Sequence, residues 1–446
     1  MHNVDKKAIK ATNSLLNQAN RIITGATKRT RIACLNILLD EQPALAKLET
    51  AKLKFWARKT CQGENIAGQV LNDKKYMANR SNKGRDIGVV KSTNILLNDL
   101  DISKSQASPF VLRKKIVDTP SIQIDTSLTK QINKQRDNEV YMKQVSLEHL
   151  SDKYPTHIKV YTDGSKIPDQ TSDEKVGIGI YSSESQLNIR ISKRISNNTA
   201  IATAELKAIH IALHKIKQLT EMELCPYSAG VVICTDSLSA AQALKSTKAS
   251  RPDIVQQIIR LSQQIKSRFN IDVTLLWIPS HVDIVGNEKA DLLAKKALNS
   301  PEVNVIIGLG KTELISLIGK RQNIKTNREW QDLSSSSIMH TRDIVPSLFK
   351  LDIPLGKQYE KRNRLLVNAP RFLSKGPVMC DFCEVDRTVK HVLLECDYFI
   401  GNRQEIKDIF NGQKKEFNLK NILDVKPTKA LKRPILKFIN GLMENI

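Results

Sequence analysis

Four carboxylates stand where an apolar strand or the inward face of a helix is expected: Asp163, Glu205, Asp236 and Asp291. Asp163 ends the run IKVYTD, and Asp236 ends VVICTD, the most apolar strand-like run in the chain. Glu205 shares a helical line with Ile209, Ala212 and Ile216, and Asp291 shares one with Ala294 and Leu298. A buried, unpaired carboxylate is costly, so a group of them persists only where a cation or a proton offsets the repulsion. Hard oxygen donors of this kind suit Mg2+ or Mn2+. Each acid alone also has a plain structural role. Asp163 can form the turn in TDGS, Glu205 can complement the helix dipole, Asp236 can cap the helix near Leu238, and Asp291 can be solvated. All four in this order of elements favour one shared pocket.

A second constellation lies near the end of the chain. Cys380, Cys383, His391 and Cys396 read C-x2-C-x7-H-x4-C. Three thiolates and an imidazole can close a tetrahedral zinc site, the alternative being an apolar hairpin with incidental cysteines. Cys34, Cys61, Cys225 and Cys234 fall mostly in or beside apolar runs and read as structural. Few cysteines, three of them in one short stretch, suit a reducing, intracellular compartment better than a disulfide scaffold. His210 and His214 have the spacing of a zinc-protease helix, but Ile211 stands where the general base would be. With Lys207 and Lys217 they read as a solvated basic face opposite Glu205.

The elements that must position the acids can be read from period and length. IKVYTDGS, VGIGIYS and LNIRISKRI are short strand-like runs, followed by the amphipathic helix TAELKAIHIALHKIKQL. AGVVICTDS reads as a strand covered on both faces. The helices SAAQALKS and PDIVQQIIRLSQQIKSR, the strand IDVTLLWIPS and the helix GNEKADLLAKKAL complete the pattern. Strands that meander first and alternate with helices afterwards predict an α/β fold, one mixed five-stranded sheet flanked by helices. Acids from strand ends and facing helices then converge at the carboxyl edge of the sheet.

Taken as a set, YTDGS, TAELKAI, CTDSLSA and IPSHVDIVGNEKAD strongly resemble the ribonuclease H family, in the version found within non-LTR retrotransposon polyproteins. The resemblance implies that Asp163, Glu205, Asp236 and Asp291 bind two Mg2+ ions, with Mn2+ as a substitute. It implies that His281, in the loop before the last helix, assists proton transfer or product release, and that the substrate is the RNA strand of an RNA–DNA hybrid. Ser237 and Asn287 are candidates for contacting phosphate or the 2′-hydroxyl, with helix capping the competing role for Ser237. The family usually has glycine two residues after the histidine, where this chain has Asp283. That residue is expected to stiffen the loop and add a charge near the metals. TVKHVLLEC resembles the cysteine–histidine tail of many non-LTR elements, and RIITGATKRTRIACLNILLDEQPAL the segment between their polymerase and ribonuclease H domains. No YxDD-type polymerase motif is present. The resemblance is to the carboxyl-terminal part of a retroelement protein. Competing readings are a non-catalytic nucleic-acid-binding remnant and a related metal nuclease with another substrate.

Composition agrees with a polyanionic partner. Lys and Arg number 70 against 46 acids, a formal charge of +24 and a pI near 9.6. About half of that excess lies in the first 150 residues. No run approaches the ~18 apolar residues of a membrane helix, and MHNVDKKAIKATN has no signal-peptide core. The reading divides the chain into a helical region (1–92), a basic linker (93–154), the ribonuclease H-like domain (155–300), a helical basic region (301–375), and a zinc module with its tail (376–446).

Overall fold

The computed structural model describes residues 6–24, 30–39, 42, 44–61, 89–108, 122–133, 135–168, 173–182, 184, 187–224, 230–246, 249–333, 336–345, 357–367, 379–424 and 427–444. The chain forms two compact units, one of residues 52–320 and one of residues 1–51 with 321–446.

The first unit is built on a six-stranded sheet. Its strands are β1 (Ile122–Asp125), β2 (Ile158–Ile167), β3 (Lys175–Ser182), β4 (Arg190–Ile195), β5 (Val231–Thr235) and β6 (Val273–Trp277), in the order β1-β6-β5-β2-β3-β4. β1, β6, β5 and β2 run parallel, and β3 and β4 are antiparallel to their neighbours. Parallel strands need covered faces and crossover helices. The helices are α5 (Leu128–Gln131), α6 (Glu139–Lys153), α7 (Ile201–Glu221), α8 (Leu238–Lys245), α9 (Pro252–Phe269) and α10 (Val285–Leu298). Side chains alternate as a covered strand requires. Val231 and Ile233 of β5 join Ile209, Ala212 and Ile258 on one face, while Val232 and Cys234 join Met142, Leu150 and Ala290 on the other.

The sheet therefore has one strand more than the five expected, and the extra one comes from the segment read as a linker. Within 93–154, β1 pairs with β6 and α6 buries Met142, Ser146 and Leu150. The apolar signal was weak because one of those three inward positions is a serine. The segment is pinned by a buried carboxylate. Asp125 accepts from Ser127 N–H and Oγ at 2.9 and 2.6 Å, from Lys153 Nζ at 2.7 Å and from Tyr154 Oη at 2.8 Å. Burial alone would raise this carboxyl, but Lys153 and Ser127 hold it well below the ordinary carboxylate range. Residues 109–121 and 134 of the expected linker lie outside the described residues.

Part of α3 (Ala44–Thr60), α4 (Val89–Asp99) and the start of α11 (Lys311–Asp332) make a smaller core in the same unit, with Leu53, Trp56, Leu97, Leu314 and Ile318. The other unit gathers α1 (Lys6–Thr24), α2 (Ile32–Leu38), α12 (Ser336–Ile344), α13 (Glu360–Val367), α14 (Ile400–Gly412), α15 (Leu419–Ile422) and α16 (Lys429–Glu444). Cys34 and Leu38 share its core with Leu365, Val392, Phe410 and Ile439. Residues 376–446 are thus not packed as a module of their own. Among the described residues no helix is long and apolar enough to cross a membrane.

Candidate active site

Asp163 lies on β2, opposite Gly179 of β3, and Glu205 lies in the second turn of α7. Two glycines let the helices reach the strands. A Cβ on Gly164 would meet Glu205 N at 3.2 Å and Glu205 Cδ at 3.3 Å, so α7 sits directly against β2. A Cβ on Gly179 would fall 1.9 Å from Ala290 O, so α10 lies on the bare backbone of β3 and carries Asp291 toward Asp163. Asp236 follows β5, where its carbonyl accepts from Trp277 Nε1 at 3.2 Å and ties the ends of β5 and β6 together.

Carboxylate oxygens of Asp163, Glu205 and Asp236 lie within 4.8 Å of one another. Asp163 and Glu205 are buried, and Glu205 Oε2 has no hydrogen-bond partner. Burial, then Asp236 and Asp291, push the Asp163 carboxyl up to about 8. Burial, then Asp163 and Asp236, hold Glu205 well above its ordinary value. Asp291 lines the same cleft but stands outside the close group, and its carboxylate accepts from Lys295 Nζ at 2.7 Å. The cleft measures about 500 Å³ and also takes in Ser237, His281, Asn287 and Lys166. An orphaned buried oxygen among acids that repel one another is the environment a hard divalent cation neutralises. The residues present fit such an ion.

The remaining candidates divide. His281 is exposed on the rim with a left-handed backbone, φ 57°. Asn287 is buried, and its Oδ1 has no hydrogen-bond partner. Ser237 caps α8, its Oγ accepting from Ala240 N at 3.2 Å, so its capping role is met. Asp283 does not line the cleft. Its φ of 56° is the conformation that favours glycine, and its exposed side chain points to no cost beyond that backbone strain. Lys207 and His210 are half-buried rather than solvated, with Nζ and Nδ1 3.2 Å apart. Burial, then Lys207 and His214, push the His210 imidazole down to about 4. The sequence reading does not single out the two lysines of the cleft lining, Lys166 and Lys295. Lys295 was legible through its spacing of four from Asp291. Lys166, which donates to Thr199 O at 3.2 Å, carried no such signal.

In the other unit, ligand atoms of Cys380, Cys383, His391 and Cys396 lie within 4.8 Å of one another. Cys396 Sγ is 3.7 Å from Cys380 Sγ and 3.8 Å from Cys383 Sγ. Tetrahedral Zn–S bonds of about 2.3 Å place sulfurs roughly 3.8 Å apart. His391 Nε2 is buried without a hydrogen-bond partner. The cluster closes onto Val389, Val392 and Leu393 of the core. The basic stretch YEKRNRLL is largely internal. Arg362 is buried, 5.1 Å from the centroid of the Tyr359 ring, and donates to Asn363 Oδ1. Cys34 and Cys234 are buried, Cys61 is half-buried, and Cys225 lies outside the described residues.

Residues 155–299 match the ribonuclease H family model. No curated protein sequence matches the chain. Among solved structures, the foamy viral protease–reverse transcriptase in complex with dsDNA is similar at 20% identity, covering 32% of this chain and 95% of that one, with a TM-score of 0.26. LC11 ribonuclease H1, isolated from compost by a metagenomic approach and solved with an RNA/DNA hybrid, is similar at 23% identity, covering 32% of this chain and 96% of that one, with a TM-score of 0.25. Ribonuclease H1 from the archaeon Halobacterium salinarum is similar at 20% identity over 32% of this chain and 98% of that one, with a TM-score of 0.23. Sheet order, the carboxylate cleft and the family match over 155–299 agree, and the chain carries a ribonuclease H domain, a hydrolase fold, within a longer polypeptide.

Proposed function

We propose that this domain is a metal-dependent endoribonuclease that hydrolyses the RNA strand of RNA–DNA hybrids. The observation that carries the reading is the convergence of Asp163, Glu205 and Asp236 within 4.8 Å, with Glu205 Oε2 buried and unpartnered. These carboxylates would hold two Mg2+ or Mn2+ ions, which would supply an activated water and stabilise the leaving 3′ oxygen. Asp163, Glu205 and Asp236 hold that charge, and Asp291 completes the set from α10, oriented by Lys295. His281 stands on the exposed rim, where an imidazole carries a proton between solvent and the leaving oxygen. Asn287 offers its amide to a phosphate or a 2′-hydroxyl, and Ser237 serves mainly as a cap.

The cysteine–histidine cluster of the other unit is a zinc site. Thiolate donors select zinc over magnesium, so the two sites do not compete for metal. Basic surface residues, including the exposed Lys414 and Lys420 downstream of it in the sequence, add salt-dependent affinity for nucleic acid backbone. The resemblance of the sequence motifs to those of non-LTR retrotransposons supports an origin in such an element, and the small number of cysteines suits an intracellular compartment.

The test is incubation of the purified chain with labelled RNA–DNA hybrid, RNA duplex and single strands, with and without Mg2+. Cleavage of the RNA in the hybrid alone, dependent on Mg2+, is the expected result. Equal cleavage of RNA duplex, or activity unchanged by chelation, would contradict the reading.

A further inference from the structure

The helix that carries Glu205 has no cap of its own. α7 begins at Ile201, and its N-cap residue is Ala200, which has no side-chain oxygen to offer. The Ala200 N–H donates instead to Glu313 Oε1 at 2.7 Å, a residue 113 positions further along the chain and outside the matched domain. Glu313 Oε2 accepts from Gly310 N at 2.6 Å and from Arg251 Nη1 at 3.0 Å. Arg251, at the start of α9, also donates to both oxygens of Asp253, at 2.9 and 2.6 Å. Glu313 and Arg251 are 5% and 3% exposed, so the beginnings of α7, α9 and α11 meet at one buried ion pair.

A second tie runs from the same helix to Lys166 in the cleft lining. Lys320, two turns after Glu313 and on the same face of α11, pairs with Glu174. Glu174 in turn pairs with Lys166, three residues beyond Asp163 on β2. Lys166 also holds the carbonyl of Thr199, immediately before Ala200. α11 itself is fixed by Leu314, Leu317 and Ile318, packed with Leu53, Trp56 and Leu97. Sequence outside the catalytic domain thus reaches the first turn of the Glu205 helix by two routes.

We propose that Glu313 is a positioning residue for Glu205, and that the helical segments flanking the domain set the geometry of the carboxylate site through α11. This inference rests on the reading of those carboxylates as the metal site. Glu205 lies five residues from Ala200, so a shift of the first turn displaces its carboxylate directly, and Lys320 steadies the same turn through Lys166.

The test uses the full chain and three variants, Glu313→Ala, Glu313→Gln and Lys320→Ala. Hydrogen exchange of the metal-free protein reads the peptide spanning 199–206, and kinetics on RNA–DNA hybrid give kcat, KM and the half-saturating Mg2+ concentration. Glu313→Ala is expected to speed exchange in that peptide, lower kcat about tenfold and raise the Mg2+ requirement, with KM for hybrid within about twofold. Glu313→Gln keeps one acceptor for Ala200 and is expected to fall between wild type and alanine in every readout. Lys320→Ala, which removes a partly exposed partner, should shift the same readouts less. Wild-type exchange in Glu313→Ala, or faster exchange with wild-type kcat and Mg2+ dependence, overturns the proposal. If Glu313→Ala does not fold, wild-type behaviour in both other variants overturns it. If wild type cleaves no hybrid, the functional reading fails separately, and Mn2+ affinity measured by calorimetry decides positioning. Equal affinity in wild type and Glu313→Gln then overturns it.

Discussion

Gly164 and Glu205 are in contact through an absent side chain: a Cβ on the glycine would lie 3.3 Å from the carboxyl carbon of the glutamate and 3.2 Å from its backbone nitrogen. The glycine next to Asp163 therefore sets how closely the second acid approaches the first. Gly164→Ala must push α7 outward by a few tenths of an ångström. The expected outcome is a fall in kcat of about tenfold, with KM for hybrid little changed, because substrate contacts elsewhere are untouched. Steady-state kinetics decide it, and a wild-type kcat would mean the site tolerates the displacement.

The raised carboxyls make the metal-free domain sensitive to alkali. Asp163 keeps its proton up to about 8 when folded, whereas an unfolded aspartate loses it near 4. Between those values the folded state binds more protons, so this contribution to stability is complete below about pH 4 and is lost as pH rises through about 8. Glu205 acts in the same direction. Asp163→Asn should therefore raise the Tm of the metal-free protein more at pH 9 than at pH 5, and Mg2+ should stabilise wild type more than the variant. Thermal scans of both proteins at the two pH values provide the comparison. An equal gain at both would show that Asp163 is not protonated in the fold.

Asp283 has a left-handed backbone and stands outside the cleft lining, so glycine there should leave the chemistry alone. Asp283→Gly relieves strain in the folded state but loosens the unfolded chain, for a net change within about 1 kcal/mol. The expected Mg2+ titration overlays that of wild type. A lower Mg2+ requirement in the variant would restore the idea that this charge acts on the metals.

Chelation separates the two units. The cysteine–histidine cluster closes onto Val389, Val392 and Leu393, so stripping zinc should unfold the surroundings of the cluster. The carboxylate cleft belongs to the other compact unit, and cleavage at saturating hybrid and ample Mg2+ should persist. Metal analysis with circular dichroism before and after a thiol-competing chelator reads the first half, and hybrid cleavage the second. A chain that holds no zinc under reducing conditions contradicts the zinc assignment.

Much of the domain was legible in the sequence because its strands and helices have clean periods. VVICT and the line Glu205–Ile209–Ala212–Ile216 are buried as their patterns require. The acids could be singled out because a carboxylate on an apolar face has few other uses. What stayed hidden was long-range. β1 and α6 bury only a few residues each, one of them Ser146, and so looked like polar linker. The Glu313–Ala200 bond joins residues 113 apart, and no local spacing announces it. Arg362, in the region read as basic, is buried, since composition does not say which side of a short helix faces the core.

The central claim is that Asp163, Glu205 and Asp236 form one hydrolytic metal site, and Asp163→Asn tests it most directly. The substitution removes one negative ligand at nearly constant volume, and asparagine keeps the strand's packing against Gly179. Single-turnover cleavage of labelled RNA–DNA hybrid in Mg2+ is the measurement, with circular dichroism to show that the fold is retained. The expected result is a folded protein whose cleavage rate drops by at least about a hundredfold. A folded Asp163→Asn chain that cleaves hybrid at the wild-type rate would contradict the account.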